Sequence, residues 1–135
     1  MYRVILDSNI YLSALVFGGN PRTIVELAER GLFEVFAASA IQTEVERVLL
    51  LKFHWPNERI GMATARLWAL AQFIQPKHQV ADCEDPDDNR VLECALQANA
   101  QAIVTGDNHL LKLHPYRKIL ILTPRDFLGA KPWQL

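Results

Sequence analysis

The chain reads as an α/β domain, a three-layer α/β/α sandwich around a central, mainly parallel sheet of four to five strands. Two observations predict it. Short, nearly continuous apolar runs alternate with stretches of helical periodicity from end to end, the pattern of buried strands joined by crossover helices. The 135 residues are half hydrophobic and 21% charged, which suits one globular domain with a core of its own rather than a disordered chain.

Residues 2–6, Tyr-Arg-Val-Ile-Leu, form the first strand, apolar enough to be covered on both faces. Residues 9–17 follow as a helix stopped by Gly18-Gly19. Pro21 suits the first turn of a second helix, which runs to about Arg30 and ends at Gly31. Residues 34–38 are the second strand. Ser39 with Gln42 has the form of a capping box and opens a helix to about Lys52. Pro56 or Asn57 starts the next, to about Ala71, and Phe73-Ile74 makes a short edge strand before Pro76. Asp85 serves as N-cap with Pro86 at the first helical position, and that helix continues to about Asn99. Residues 102–105 are a strand, 107–113 a short helix, 119–122 the last strand and 124–128 a final helical turn. No repeat, linker or low-complexity segment interrupts the series, so residues 1–135 read as a single domain. Alternating elements of this kind require right-handed crossovers, and ligands then gather at the carboxyl ends of the strands.

Carboxylates mark that edge. Asp7 directly follows the first strand, and Asp107 follows the strand at 102–105. Five acids fall within seven positions at Asp82, Glu84, Asp85, Asp87 and Asp88, just before an apolar helix pattern. In the helix after Ser39, the stripe Ile41, Val45, Val48 and Leu49 carries Glu44 on its flank. In the helix after Pro86, the inner face of Val91, Leu92, Ala95 and Ala98 is shared by Asp88, with Asn89 and Glu93 facing water. Asp87, four residues before Val91, lies near the same face, and periodicity alone leaves that choice open. Each acid has a plainer explanation when taken singly. Asp7 can cap a helix, Glu44 can reach water, Asp87 and Asp88 can complement a helix N-terminus, and Asp107 can serve a turn. Gathered at one edge, they need something positive, and a divalent ion with oxygen ligands such as Mg²⁺ is the natural counterpart.

The rest of the composition narrows the partners. A net charge of −1 gives no basic field, so any nucleic-acid role belongs to a local site. Cys83 and Cys94 form neither a disulfide framework nor a metal spacing, which fits a reducing cytosol, and Cys83 has no evident partner. No apolar run approaches membrane-spanning length, so a cytoplasmic location without membrane contact is expected. His54, His78, His109 and His114 lack metal-type spacing and read as surface or rim residues. Trp55, Trp68 and Trp133 read as packing groups, and Arg22, Lys52, Arg59, Arg90 and Lys112 as scattered surface charge. The apolar stretch 67–74, or the segment 53–55, is the expected surface for another copy or a partner helix, with core packing as the equal alternative.

The order Asp7-Ser8-Asn9, Glu44 in Gln42-Thr43-Glu44-Val45, Asp85-Pro86-Asp87-Asp88-Asn89-Arg90 and Thr105-Gly106-Asp107 resembles the PIN-domain nucleases. It is most similar to the bacterial and archaeal branch of toxin components from toxin–antitoxin pairs, related to the VapC-type toxins. The likeness runs through the whole chain, including Thr123-Pro124-Arg125-Asp126-Phe127-Leu128. The resemblance implies a PIN-like fold and four catalytic acids at Asp7, Glu44, Asp88 and Asp107, with Asp87 in reserve for the third and Asn9 and Thr105 in support. It implies one or two Mg²⁺ or Mn²⁺ ions held by Asp7, Asp88 and Asp107, with Glu44 acting from an outer position. It further implies an RNA substrate cut by phosphodiester hydrolysis, a cognate antitoxin and a homodimer contact.

Two other classes compete. A phosphotransfer or phosphatase-like protein would use Asp7 as phosphate acceptor, but such folds need a second Asp two residues on or a Lys just past a late strand. Position 9 is Asn, and Lys118 precedes its strand. A catalytically silent binding module on the same fold is the third class, and retention of all four acids speaks against it.

Overall fold

A computed structural model describes residues 1–134. Its centre is a five-stranded sheet in the order β3-β2-β1-β4-β5, with every pairing parallel. The strands are β1 (Arg3–Leu6), β2 (Glu34–Ala37), β3 (Gln72–Phe73), β4 (Ala102–Val104) and β5 (Leu120–Leu122). The helices are α1 (Ser8–Val16), α2 (Gly19–Glu29), α3 (Ser39–Leu51), α4 (Asn57–Leu70), α5 (Pro86–Ala98), α6 (Asn108–Leu111) and α7 (Pro124–Ala130). A 3-10 turn at Pro132–Gln134, absent from the sequence reading, closes the described chain.

Beyond the exposed Arg3, the central strands carry the apolar runs that a parallel sheet covered on both faces requires. Val4, Ile5 and Leu6 of β1 and Ala102, Ile103 and Val104 of β4 are fully buried, as strands covered on both faces must be. Helix α5 packs on β1 and β2, while α6 and α7 pack on β5. The chain leaves β1 for β2 and β3 on one side, then crosses to β4 and β5 on the other. The order therefore reverses between β1 and β4, and the crevice above their carboxyl ends is where such sheets accept ligands.

Most boundaries match the expectation to within two residues, and four details differ. The capping box at Ser39 does not form. Ala38 is the N-cap of α3 and makes no side-chain bond, Ser39 is already helical, and the Gln42 amide donates to Glu46 instead. The edge strand sits one residue earlier than expected, at Gln72–Phe73. Asn89 and Glu93 do not face water; both are buried. The reason is tertiary, because the segment between β3 and α5 folds back over that side of α5. Asn89 accepts from the Cys83 N–H (2.9 Å) and donates to the Cys83 carbonyl (3.1 Å), while Glu93 accepts from the Val80 N–H (3.0 Å) and from Arg90 (2.9 Å).

The stretch expected as a contact surface is divided. Leu67 is buried, and Trp68 packs against Tyr11 with tilted rings whose centroids are 5.1 Å apart and donates to Glu46. Phe73 remains 43% exposed, and Phe17, 76% exposed, meets Phe53 edge-on. Arg59 lies over the Trp55 ring. No helix among the described residues is long and apolar enough to cross a membrane.

The two-way clamp of Asn89 on the Cys83 backbone yields a prediction. Asn89→Ala strands a buried N–H and a buried carbonyl, so unfolding in urea should show a loss of about 1–3 kcal/mol. Unchanged stability would mean that the loop rests on α5 without this clamp.

Candidate metal centre

Asp7 is the first residue past β1 and the N-cap of α1. One carboxylate oxygen accepts from the Ser8 N–H (2.7 Å). The other accepts from the Thr105 hydroxyl (2.7 Å) and the Asn9 amide (3.2 Å). Thr105 follows β4, and its hydroxyl oxygen also accepts from the Asp107 N–H (3.0 Å). Asn9 reaches the same turn from the other side, accepting from the Gly106 N–H (3.4 Å). Asn9 and Thr105, the two supporting positions, thus lash the ends of β1 and β4 together around Asp7. The carboxylate is 4% exposed. Burial raises its pKa, the bonds from Thr105 and Ser8 oppose that shift, and the charges of Asp107 and Glu44 add to it.

Helix α5 delivers the third acid. Asp85 is its N-cap, accepting from the Asp87 N–H (3.0 Å), and Pro86 stands first in the helix as the sequence predicts. Asp88 turns inward and is buried, whereas Asp87 on the same turn is exposed. Cys83, which has no evident partner in the sequence, is buried with its Sγ 3.8 Å from Asp88 Oδ2. Burial, hydrogen bonding with Asp107, and the charges of Asp107, Asp7 and Asp85 push the Asp88 carboxyl up to about 8. Burial and crowding thus favour the neutral form of this acid.

Asp107 caps α6 through the His109 N–H (2.8 Å). The His109 ring nitrogen Nδ1 lies 3.3 Å from the same carboxylate. Glu44, on α3, is half-buried and paired with Arg47 at 2.6 Å. All four acids line one notch of about 220 Å³, together with Asp85, Asp87 and Arg90. The plain roles and the gathering therefore coexist, since Asp7 and Asp107 cap helices with one oxygen and still face a common space.

Sequence reasoning gave Asp85 only a capping role and treated His109 as a rim residue. The structure brings ligand atoms of Asp85, Asp88, Asp107 and His109 within 4.8 Å of one another, a group that does not include Asp7. The sequence signal was the two-residue step from Asp107 to His109, which an N-capped turn folds back on its own cap. His54, His78 and His114 are exposed and stand apart from this group.

The donors suit a hard dication. Six carboxylates line the notch against the single guanidinium of Arg90, the atoms offered are almost all oxygen, and the crowding that raises the Asp88 pKa is what a cation would relieve. A dication here would relieve the repulsion among buried charges that favours the neutral form of Asp88.

The raised Asp88 pKa makes metal-free stability depend on pH. The Asp88 pKa rises from 3.8 to about 8 on folding, so between those values the folded state keeps a proton that the unfolded chain has lost. Stability must then fall as pH climbs through this window and level off above it. Melting in chelator should show this slope, reduced in Asp88→Asn. Parallel profiles for the two proteins would remove Asp88 as its source.

Comparisons with known proteins agree with this architecture. An uncharacterized protein of Methanocaldococcus jannaschii is 27% identical, with the match covering 93% of this chain and 89% of that one. Among solved structures, a chain of VapBC2 from Rickettsia felis, crystallised bound to a DNA fragment from their promoter, superposes with a TM-score of 0.60. At 16% identity over 89% of this chain and 96% of that one, the likeness is one of fold. The sequence model of the PIN domain matches residues 3–109, from the start of β1 through Asp107 and His109. The chain belongs to the PIN domain family.

Proposed function

We propose that this protein is a divalent-metal-dependent endoribonuclease and the toxin of a toxin–antitoxin pair. The observation that carries the reading is the convergence of Asp7, Glu44, Asp88 and Asp107 on one notch at the switch point of a PIN-family sheet. Asp7, Asp88 and Asp107 would hold one or two Mg²⁺ or Mn²⁺ ions. Such an ion, when bound, makes a water more acidic and neutralises charge on the phosphate oxygens.

The chain's own residues do the rest. Thr105 and Asn9 fix the direction of the Asp7 carboxylate, so a ligand need not order it on arrival. Glu44 sits farther out, its carboxylate shared with Arg47, where it can orient a water without being a primary ligand. Arg90 on the notch lining offers a guanidinium to a substrate phosphate. Single-stranded or looped RNA suits this site, because its backbone can bend into a recessed notch that a stiff duplex enters poorly. Use of Asp7 as a phosphate acceptor is disfavoured, since three donors already occupy its oxygens and Asn9 replaces the second acid that such chemistry needs. A toxin role with an antitoxin partner is consistent with the fold likeness to a chain of VapBC2.

Two measurements test the reading. Mg²⁺ or Mn²⁺ at about a hundred times its dissociation constant should stabilise the fold by about 2.7 kcal/mol, and Asp7→Asn or Asp88→Asn should lose most of that gain. Purified protein with either ion should cut single-stranded RNA and stop on chelation. Asp7→Asn should abolish nearly all cleavage, whereas Glu44→Gln should retain more. Equal cleavage by wild type and Asp7→Asn would trace the activity to a contaminant and refute the site.

A further inference from the structure

The notch is short of positive charge. Six carboxylates line it against the Arg90 guanidinium, so the lining stays net negative even with two dications bound. A polyanion reaching such a site is repelled everywhere except at the ions, and a chain of net charge −1 has no wider field to draw it in. Cations at the mouth are what an RNA strand needs there. Glu44 lines the notch from α3, and Arg47 follows it by three residues, with Nη2 2.6 Å from the Glu44 carboxylate. Glu44, by hydrogen bond and charge, and Asp87 more weakly from α5, favour the charged guanidinium. The Arg47 side chain is 54% exposed, and this one nitrogen is its only recorded donor among the described residues, so the rest of the fork faces solvent. Other arginines are committed elsewhere. Arg22 gives two nitrogens to the Ala14 carbonyl, and Arg59 lies over the Trp55 ring.

We infer that Arg47 is a substrate-binding residue, which grips the RNA phosphate next to the one being cleaved, across the notch mouth from Arg90. The inference rests on the proposed nuclease reading and deepens it, because such a grip makes the site demand a continuous strand rather than a terminal phosphate. Glu44 holds the guanidinium by one nitrogen and fixes its direction, so a forked grip on phosphate costs little ordering. Lysine would bring the charge without the fork. Arg47 also lines a groove of about 470 Å³ between α3 and α4, together with Thr43, Leu50 and Asn57. A strand leaving the notch on the α3 side passes the guanidinium and enters that groove.

Cleavage kinetics on single-stranded oligoribonucleotides test this in wild type, Arg47→Ala, Arg47→Lys and Arg66→Ala. Arg66 is the control, an ion-paired arginine outside the notch lining. Arg47→Ala should raise KM about tenfold with kcat within about twofold, Arg47→Lys should fall between it and wild type, and Arg66→Ala should change neither. The salt slope of RNA binding, read in the cleavage-deficient Asp7→Asn background, should become shallower by about 0.7 when Arg47 is also replaced by Ala. A single uncharged methylphosphonate linkage, walked along the substrate, should raise the wild-type KM at one position beside the cleaved bond and cost nothing more there in Arg47→Ala. Mg²⁺ should stabilise Arg47→Ala against heat as much as wild type. A fall in kcat at constant KM, matching Glu44→Gln, would reduce Arg47 to a support for Glu44 and overturn the inference. Equal losses in Arg47→Ala and Arg66→Ala, or a methylphosphonate penalty that persists in Arg47→Ala, would overturn it too and leave the nuclease reading intact. Wild type that neither binds nor cuts RNA would remove that reading and the inference together.

Discussion

Burying the Asp7 carboxylate at the sheet's carboxyl edge, beside Asp88 and Asp107, is the constraint around which the rest of this structure is arranged. A charge withdrawn from water costs several kcal/mol unless it is paired, and no cationic side chain bonds Asp7. The chain supplies partial compensation locally. Asp7, Asp85 and Asp107 each sit at the N-terminus of a helix, where backbone N–H groups and the helix dipole favour a negative charge. Thr105 and Asn9 add two further donors to Asp7. What these cannot offset falls on Asp88, whose carboxyl is pushed well above the usual carboxylate range by burial and by its acidic neighbours. A sequence selected for stability alone would place apolar residues here, and the retained repulsion is the mark of a site kept for its chemistry.

The sheet order explains why the acids meet at that point. With β1 in the middle, the chain must go outward twice, first through β2 and β3 and then through β4 and β5. The turns that leave β1 and β4 carry Asp7 and Asp107, and both line the notch. Helices α3 and α5 then close its sides, each contributing an acid from its first two turns.

Much of this was legible in the chain. The run from Arg3 to Leu6, the Gly18-Gly19 stop and the Asp85-Pro86 start fix element positions by local chemistry, and the structure has them within two residues. Periodicity also identified Val91, Leu92, Ala95 and Ala98 as the inner face of α5. It could not separate Asp87 from Asp88, because both lie within a turn of that face; burial favours Asp88. It misjudged Asn89 and Glu93 because helical spacing reports which side meets the sheet and is silent about a loop that returns to cover another side. The Ser39–Gln42 pattern misled for a smaller reason, a shift of one residue in where the helix begins. His109 was passed over because its link to Asp107 arises from a capped turn rather than from any ligand spacing.

The bond between Asp7 and Thr105 spans 98 positions of sequence. Residues from the first strand and from the fourth must both be in place before the notch exists, and β4 must slot in directly beside β1. The chain through the end of β3 contains three of the five strands, yet it carries only Asp7 and Glu44 of the four acids. The notch is therefore a property of the whole sheet, and no fragment that stops short of Asp107 contains it.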